Sequence, residues 1–273
     1  MATMFPPFDP DEDGNRPRLR QVRQIPIRMI LPNLVTLLGL CAGLTAIRLA
    51  IESRYGEAIA MIVIAAVLDA VDGRVARLLR STSRFGAELD SLADFVNFGV
   101  APAIILYVWA LDQVHSLGWI AALLFSICAA LRLARFNVAI DAPSKPDWHG
   151  NFFTGVPAPA GALVVMLPVY LEHLEVPIGA VGLPIVFIYT VAVGLLMVSR
   201  LPTWSGKKLG ARIPREMVLP LFVVVVVVAA SLLSYPWHVL AAGATAYLIA
   251  LPFGLRQFRR LEEKDRLTIG TNG

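Results

Sequence analysis

Four aspartates are the residues in this sequence whose type and spacing best suit chemistry: Asp69, Asp72, Asp90 and Asp94. The first two stand three residues apart and the last two stand four apart, so each pair lies on one face of a helix. Gly86, between the pairs, suits a tight turn that would fold the two faces together. Clustered carboxylate oxygens are hard ligands for Mg²⁺ or Mn²⁺. The spacing predicts a metal site, and two divalent ions would neutralise most of its charge.

The residues around the aspartates point to phosphate chemistry. Gly73 directly follows Asp72 and leaves the backbone open to a ligand. Four arginines in the same stretch supply cationic donors for phosphate oxygens, namely Arg74, Arg77, Arg80 and Arg84. The sequence has neither the alternating ligands of an EF-hand nor a Walker-type phosphate loop. Together these features indicate transfer at a phosphate group assisted by metal ions.

The composition places this chemistry in a membrane. Of 273 residues, 57% are apolar and 16% are charged, and the mean hydropathy is +0.67. A soluble chain of this length would need a more charged surface. The net charge of +4 does not indicate a nucleic-acid partner, because the basic residues flank apolar segments instead of forming a basic domain. Membrane lipids are the expected surroundings.

The apolar segments predict an all-α polytopic bundle of about eight transmembrane helices, since a span needs about 20 apolar residues. We interpret residues 1–28 as a tail with a juxtamembrane amphipathic segment, 29–254 as one transmembrane domain and 255–273 as a C-terminal tail. The predicted spans are 29–50, 56–78, 92–111, 117–138, 156–174, 178–199, 217–234 and 237–254.

The basic residues predict the orientation of the bundle. With eight spans, 22 of the 24 lysines and arginines fall on the side that holds both termini, and only Arg48 and Arg54 fall on the other. Positive charge marks the cytoplasmic side. Both termini and the aspartates are therefore predicted to face the cytoplasm, and a bacterial inner membrane is the expected location.

The aspartates carry a resemblance to a known family. Asp69, Asp72, Gly73, Ala76, Arg77, Gly86, Asp90 and Asp94 match the signature D-x2-D-G-x2-A-R-x8-G-x3-D-x3-D with every gap intact. This signature is that of the CDP-alcohol phosphotransferases, which exchange the CMP of a CDP-activated lipid for an acceptor alcohol. The resemblance implies that all four aspartates bind metal and that Asp94 is also the base for the acceptor hydroxyl.

The same resemblance implies residues that contact the substrates. The CDP-lipid side would use Gly73, Arg77, Gly86, Ser83 and, from the segment Pro32–Thr36, Asn33 and Thr36. The segments 132–137 and 153–161 and the segment 199–204 resemble bacterial membrane-embedded phosphatidylserine synthases. The implied reaction is phosphatidyl transfer from CDP-diacylglycerol to L-serine. Arg135 could then bind the serine carboxylate, with Asn137 as an additional polar contact.

Several alternatives remain open at this point. The acceptor could instead be glycerol 3-phosphate, inositol phosphate or choline, and Arg132, Arg135, Arg200 and Lys207 could bind a phosphorylated acceptor. Prenyl transfer also uses aspartate-held magnesium, but normally from two motifs far apart in the chain. An ion-coupled transporter would hold acidic residues in its spans and often has inverted repeats. A homodimer is implied by the resemblance alone, because Gly39 and Gly43 equally suit packing within one chain.

Overall fold

The computed structural model describes residues 27–79, 83–140, 152–176, 182–204 and 215–271. Over these residues the chain is almost entirely helical, in agreement with the predicted all-α membrane protein. Five helical segments are long and apolar enough to cross a membrane, and two apolar helical segments are shorter. The N-terminal tail through residue 26, Arg80 and Lys207 lie outside the described residues.

The first half of the chain forms the packed centre of the bundle. Helix α1 (Ile27–Ile51) packs along α2 (Tyr55–Leu78). It also contacts α3 (Arg84–Asp94) and α4 (Ala101–Trp109). Helix α3 (Arg84–Asp94) continues through a π-helical turn (Phe95–Val100) into α4 (Ala101–Trp109). A 3₁₀ turn (Leu111–Val114) then leads into α5 (Ser116–Ile140).

In the second half of the chain, α5 is contacted by helices that follow residue 157, and the last two helices pack against each other. Helices α6 (Ala158–Val165) and α7 (Leu167–His173) replace the single predicted fifth span, and α8 (Gly182–Val198) packs on α5. Helix α9 (Arg215–Ser234) packs against α10 (Pro236–Thr271). The valines of α9 are about half exposed, as suits side chains that face lipid. Helix α10 runs well past the predicted span end at 254.

The loop predicted to turn at Gly86 is shorter than expected, and Gly86 lies inside α3. The helix starts earlier because Ser83 is its N-cap, with the Ser83 hydroxyl accepting the Gly86 N–H at 3.0 Å. Gly86 serves close packing instead of a turn, since a Cβ there would lie 2.9 Å from Asn33 Oδ1. Asp90 is consequently in the second turn of α3, and the helix beyond it reaches Trp109 without a break.

A short antiparallel pair of strands joins two segments that the sequence analysis had not paired. Strand β1 (Phe152–Thr154) pairs with β2 (Pro202–Trp204) in register Phe153 with Thr203. Gly155, directly after β1, has a φ of +79°, and a Cβ there would lie 2.3 Å from the Met197 carbonyl oxygen. Only glycine fits this position, so Gly155 fixes the path from β1 into α6.

Candidate active site

Three of the four predicted aspartates meet at one point between α2 and α3. Carboxylate oxygens of Asp69, Asp72 and Asp90 all lie within 4.8 Å of one another, and Asp72 is 4% exposed. The ion pairs among the described residues are formed by other side chains, Arg48 with Glu52 and Arg54 with Glu52 and Glu57. Three half-buried or buried carboxylates without a cationic partner fit a divalent cation, because hard oxygen donors and uncompensated negative charge are what such ions require.

Asp94 completes the cluster from the last turn of α3. Its carboxyl group is close enough to those of Asp69, Asp90 and Asp72 to interact with them electrostatically. It is not among the three carboxylates whose oxygens converge most closely. Asp94 is thus next to the candidate metal site and displaced from its centre, which suits a group that exchanges a proton with a substrate.

Helix α1 holds the cluster through Thr36. The Thr36 hydroxyl donates to Asp72 Oδ2 at 2.7 Å, and the Pro32 carbonyl oxygen lies 3.1 Å from the same hydroxyl. Both Thr36 and Asp72 are buried. The bond fixes which carboxylate oxygen of Asp72 is free to face the cluster, much as outer hydrogen bonds orient metal ligands.

We expect Thr36→Val to lower turnover about 10–100-fold, because losing an outer hydrogen bond to a metal ligand typically costs that much in metal affinity or activity. Turnover is measured as a function of divalent-ion concentration in purified protein. Thr45→Val is the matched control, since the Thr45 hydroxyl donates only to the Cys41 carbonyl oxygen of the same helix at 2.6 Å. Equal effects of the two substitutions would contradict a role for Thr36 at the site.

The other residues predicted to contact the CDP-lipid surround the same end of the bundle. Asn33 of α1 faces Gly86 of α3, and Ser83 caps α3. A Cβ on Gly73 would meet no atom of the described residues within 4 Å, which leaves the backbone there open to a ligand on the side that these residues define. Arg77 is exposed near the end of α2. These positions lie on α1, on the last turns of α2 and at the start of α3.

The two residues predicted to bind serine lie at the end of α5. The Arg135 guanidinium donates through Nη1 to the Val198 carbonyl oxygen at 2.6 Å, with the Ser199 carbonyl oxygen at 3.4 Å. Asn137 Nδ2 donates to the Ser91 hydroxyl oxygen at 2.9 Å. Ser91 directly follows Asp90, so Asn137 connects α5 to the helix that carries two of the aspartates. Neither prediction is tested by these contacts.

Arg132 is a neighbour of the site that the sequence analysis named only among the basic residues able to bind a phosphorylated acceptor. The side chain is 8% exposed, donates through Nε to the Val156 carbonyl oxygen at 3.0 Å and lies over the Phe136 ring at 5.5 Å. It interacts electrostatically with Asp94. Arg132 stands one turn deeper in the apolar segment than Arg135. That depth was the feature of the sequence that could have indicated a buried arginine.

The π-helical turn after Asp94 is a second feature that the sequence analysis missed. Its backbone is closed by a bond from the Ala101 N–H to the Val96 carbonyl oxygen, and its Asn97 is 2% exposed. Asn97 packs on α1, where a Cβ at Gly43 would lie 2.0 Å from Asn97 Oδ1. The glycine spacing in α1 therefore serves packing within the chain. Single π-helical turns are frequent at functional sites, and this one sets the rotation of α4 relative to Asp94.

Comparison with known proteins agrees with this arrangement. The sequence model of the family described as CDP-alcohol phosphatidyltransferase matches residues 29–193, a range that contains the whole aspartate cluster. A second family model, described as CDP-alcohol phosphatidyltransferase 2, matches residues 216–252.

Curated relatives match along most of their length. A Mycobacterium leprae protein is 39% identical over 90% of this chain and 80% of its own. A protein of Mycobacterium tuberculosis strain H37Rv is 40% identical over 86% of this chain and 81% of its own. A protein of Helicobacter pylori strain 26695 is 33% identical over 81% of this chain and 88% of its own. All three are named CDP-diacylglycerol–serine O-phosphatidyltransferase. With its aspartates in the arrangement described, the chain belongs to the CDP-alcohol phosphatidyltransferase family.

Proposed function

We propose that this protein transfers the phosphatidyl group of CDP-diacylglycerol to the hydroxyl of L-serine, giving phosphatidylserine and CMP. The observation that carries the proposal is the convergence of Asp69, Asp72 and Asp90 beside Asp94. The named relatives at 33–40% identity supply the donor and the acceptor. The enzyme is thus a CDP-diacylglycerol–serine O-phosphatidyltransferase of phospholipid biosynthesis.

The four aspartates would hold Mg²⁺ or Mn²⁺, in our proposal as two ions. Bound there, the metal would screen the charge of the diphosphate and stabilise the departing CMP. Asp94 accepts the proton of the serine hydroxyl, which is a poor nucleophile at neutral pH without a base within hydrogen-bond reach. The deprotonated oxygen attacks the β-phosphorus of the CDP-lipid, and the bond from that phosphorus to the CMP oxygen breaks.

The residues around the carboxylates bind and orient the donor. Arg77 supplies a guanidinium for phosphate oxygens, and Gly73 lets the diphosphate approach the end of α2. Asn33, Thr36, Ser83 and Gly86 border the same space and form the rest of the proposed CDP-lipid site. Arg135 and Asn137, at the end of α5, are proposed to bound the acceptor side.

The setting follows from the same proposal. We propose eight membrane-crossing segments, with both termini and the aspartates on the cytoplasmic side. Helix α2 belongs among the eight although Asp69, Asp72, Arg74 and Arg77 make its last turns polar. A bacterial inner membrane and a homodimer complete the proposed arrangement.

Release of CMP from CDP-diacylglycerol by the purified protein tests the proposal. In mixed micelles with Mg²⁺ or Mn²⁺, we expect release that depends on L-serine and that stops when EDTA removes the metal. Parallel reactions contain glycerol 3-phosphate, inositol phosphate or choline instead of serine. Faster release with one of these acceptors, or release that EDTA does not affect, would contradict the proposal. Release with no acceptor dependence would indicate hydrolysis only.

A further inference from the structure

Arg132 carries a charge for which the described residues show no contact ion pair. The residue is 8% exposed, and the hydrogen bond that it makes within the described ranges uses Nε and neither of the two terminal nitrogens. A buried cation is costly unless an anion pairs with it. The hydrogen bond to the Val156 carbonyl oxygen does not require a charged donor, because a neutral side chain could donate it as well. The charge of Arg132 is therefore unexplained by packing alone.

Asp94 is near Arg132, but the two do not form a contact ion pair. The electrostatic interaction between them is felt by both groups, yet the ion pairs found among residues 27–79, 83–140, 152–176, 182–204 and 215–271 do not include it. The proposed base and the buried arginine are thus close neighbours that are not in direct contact. A small molecule that carries both a hydroxyl group and an anionic group has the chemistry to contact Asp94 and Arg132 at the same time.

Tyr247 of α10 faces the same region. It lies beside Thr203 and interacts electrostatically with Arg132. Its hydroxyl oxygen is fully buried and has no hydrogen-bond partner of ordinary geometry in the described part of the chain. The Thr203 hydroxyl donates to the Gly155 carbonyl oxygen at 2.8 Å, so it is not available as a donor to the Tyr247 oxygen. A buried phenol without a partner costs free energy, and a ligand beside Arg132 would supply one.

The elements around Arg132 differ from those around the proposed donor site. Asn33 lies on α1, Gly73 and Arg77 lie on the last turns of α2, and Ser83 caps α3. Arg132 approaches Asp94 from α5, with Val156 before α6, Thr203 in β2 and Tyr247 in α10 as neighbours. This division assigns the donor to one side of Asp94 and the acceptor to the other.

We infer that Arg132, with the Tyr247 hydroxyl, binds the carboxylate of the acceptor amino acid and so determines that the acceptor is serine. The inference rests on the proposed function. In serine the hydroxyl and the carboxylate are held on adjacent carbon atoms, so one molecule can reach both Asp94 and Arg132. The two terminal nitrogens of the guanidinium suit a carboxylate, which accepts two parallel hydrogen bonds. Arg132 is a specificity-determining residue here, separate from the base.

The test compares L-serine with L-serine methyl ester, which keeps the hydroxyl and the amine but lacks the negative charge. In the unaltered protein we expect kcat/KM to favour serine over the ester. In Arg132→Gln we expect the KM for serine to rise about 10–100-fold, as for loss of charge-assisted hydrogen bonds. The preference for serine over the ester should disappear, and the KM for CDP-diacylglycerol should stay within about twofold.

Matched variants separate recognition from structure. Arg256→Gln removes another arginine that lies over a phenylalanine ring, Phe253 at 5.9 Å, in an exposed part of α10, and should leave the serine KM unchanged. Arg132→Lys keeps the charge but not the planar fork, so a smaller rise in serine KM is expected. Tyr247→Phe should also raise the serine KM with little change in the CDP-diacylglycerol KM.

Several outcomes would overturn the inference. One is an equal rise in both KM values for Arg132→Gln, which would place Arg132 at the diphosphate. Another is a retained preference for serine over the ester. A third is a larger effect on serine KM in Arg135→Gln. If Arg132→Gln does not fold, unchanged serine KM and ester preference in both Arg132→Lys and Tyr247→Phe overturn it. Absence of serine-dependent CMP release in the unaltered protein would instead refute the proposed function.

Discussion

Asp94→Asn is expected to lower kcat for phosphatidyl transfer about 10²–10⁴-fold, the usual contribution of a positioned general base. An asparagine amide has nearly the same shape as the carboxylate but cannot accept the proton of the serine hydroxyl. Binding of the CDP-lipid should largely survive, because Asn33, Gly73 and Arg77 are unaltered. The measurements are single-turnover CMP release and equilibrium binding of CDP-diacylglycerol in micelles.

Glu88→Gln is the control for this substitution. Glu88 lies on α3, as Asp94 does, but it is exposed, so the change removes the same charge without touching the cluster. Its kcat should stay within about twofold, as for surface substitutions that break no contact. Asp94→Asn with a kcat within tenfold of the unaltered protein would remove Asp94 from the role of base. A loss of CDP-lipid binding equal to the loss of turnover would place Asp94 among the residues that hold the donor.

The aspartate cluster was predictable because it depends on the spacing of residues that are close together in the sequence. Spacings of three and four residues place Asp69 with Asp72 and Asp90 with Asp94 whatever the rest of the chain does. The apolar lengths of α1, α2 and α5 were equally local, and their bounds came within a few residues of those predicted. Even here one local inference was wrong, since Gly86 serves close contact with Asn33 and not a turn.

The acceptor side was less accessible because it depends on contacts between distant parts of the chain. Arg132 bonds to Val156 across 24 residues, and Tyr247 reaches it from the last helix. Thr203 and Gly155 come together only when β1 and β2 pair. An arginine at the end of a span looks the same in sequence whether it faces headgroups or a buried gap. Its burial in the folded bundle distinguishes the two.

Asp69→Asn is expected to raise the divalent-ion concentration needed for half-maximal activity by at least about 10–100-fold, or to abolish activity. Even an outer hydrogen bond to a metal ligand is typically worth that range, and here a ligand itself is lost. The Asp69 carboxylate is one of the three whose oxygens converge within 4.8 Å. Activity is measured across a titration of Mn²⁺ at saturating serine and CDP-diacylglycerol.

Thermal unfolding of the same variant separates loss of metal from loss of structure. Without metal, Asp69→Asn removes repulsion from Asp72 and Asp90, so the metal-free variant should unfold at the same temperature as the unaltered protein or higher. Mn²⁺ should raise the Tm of the unaltered protein, since an ion that binds only the folded state stabilises it. That rise should be lost in Asp69→Asn and kept in Glu57→Gln, which removes a carboxylate at the opposite end of α2. If the metal-free variant instead has a Tm well below that of the unaltered protein, Asp69 supports the fold. Relief of repulsion among the carboxylates can only raise the Tm.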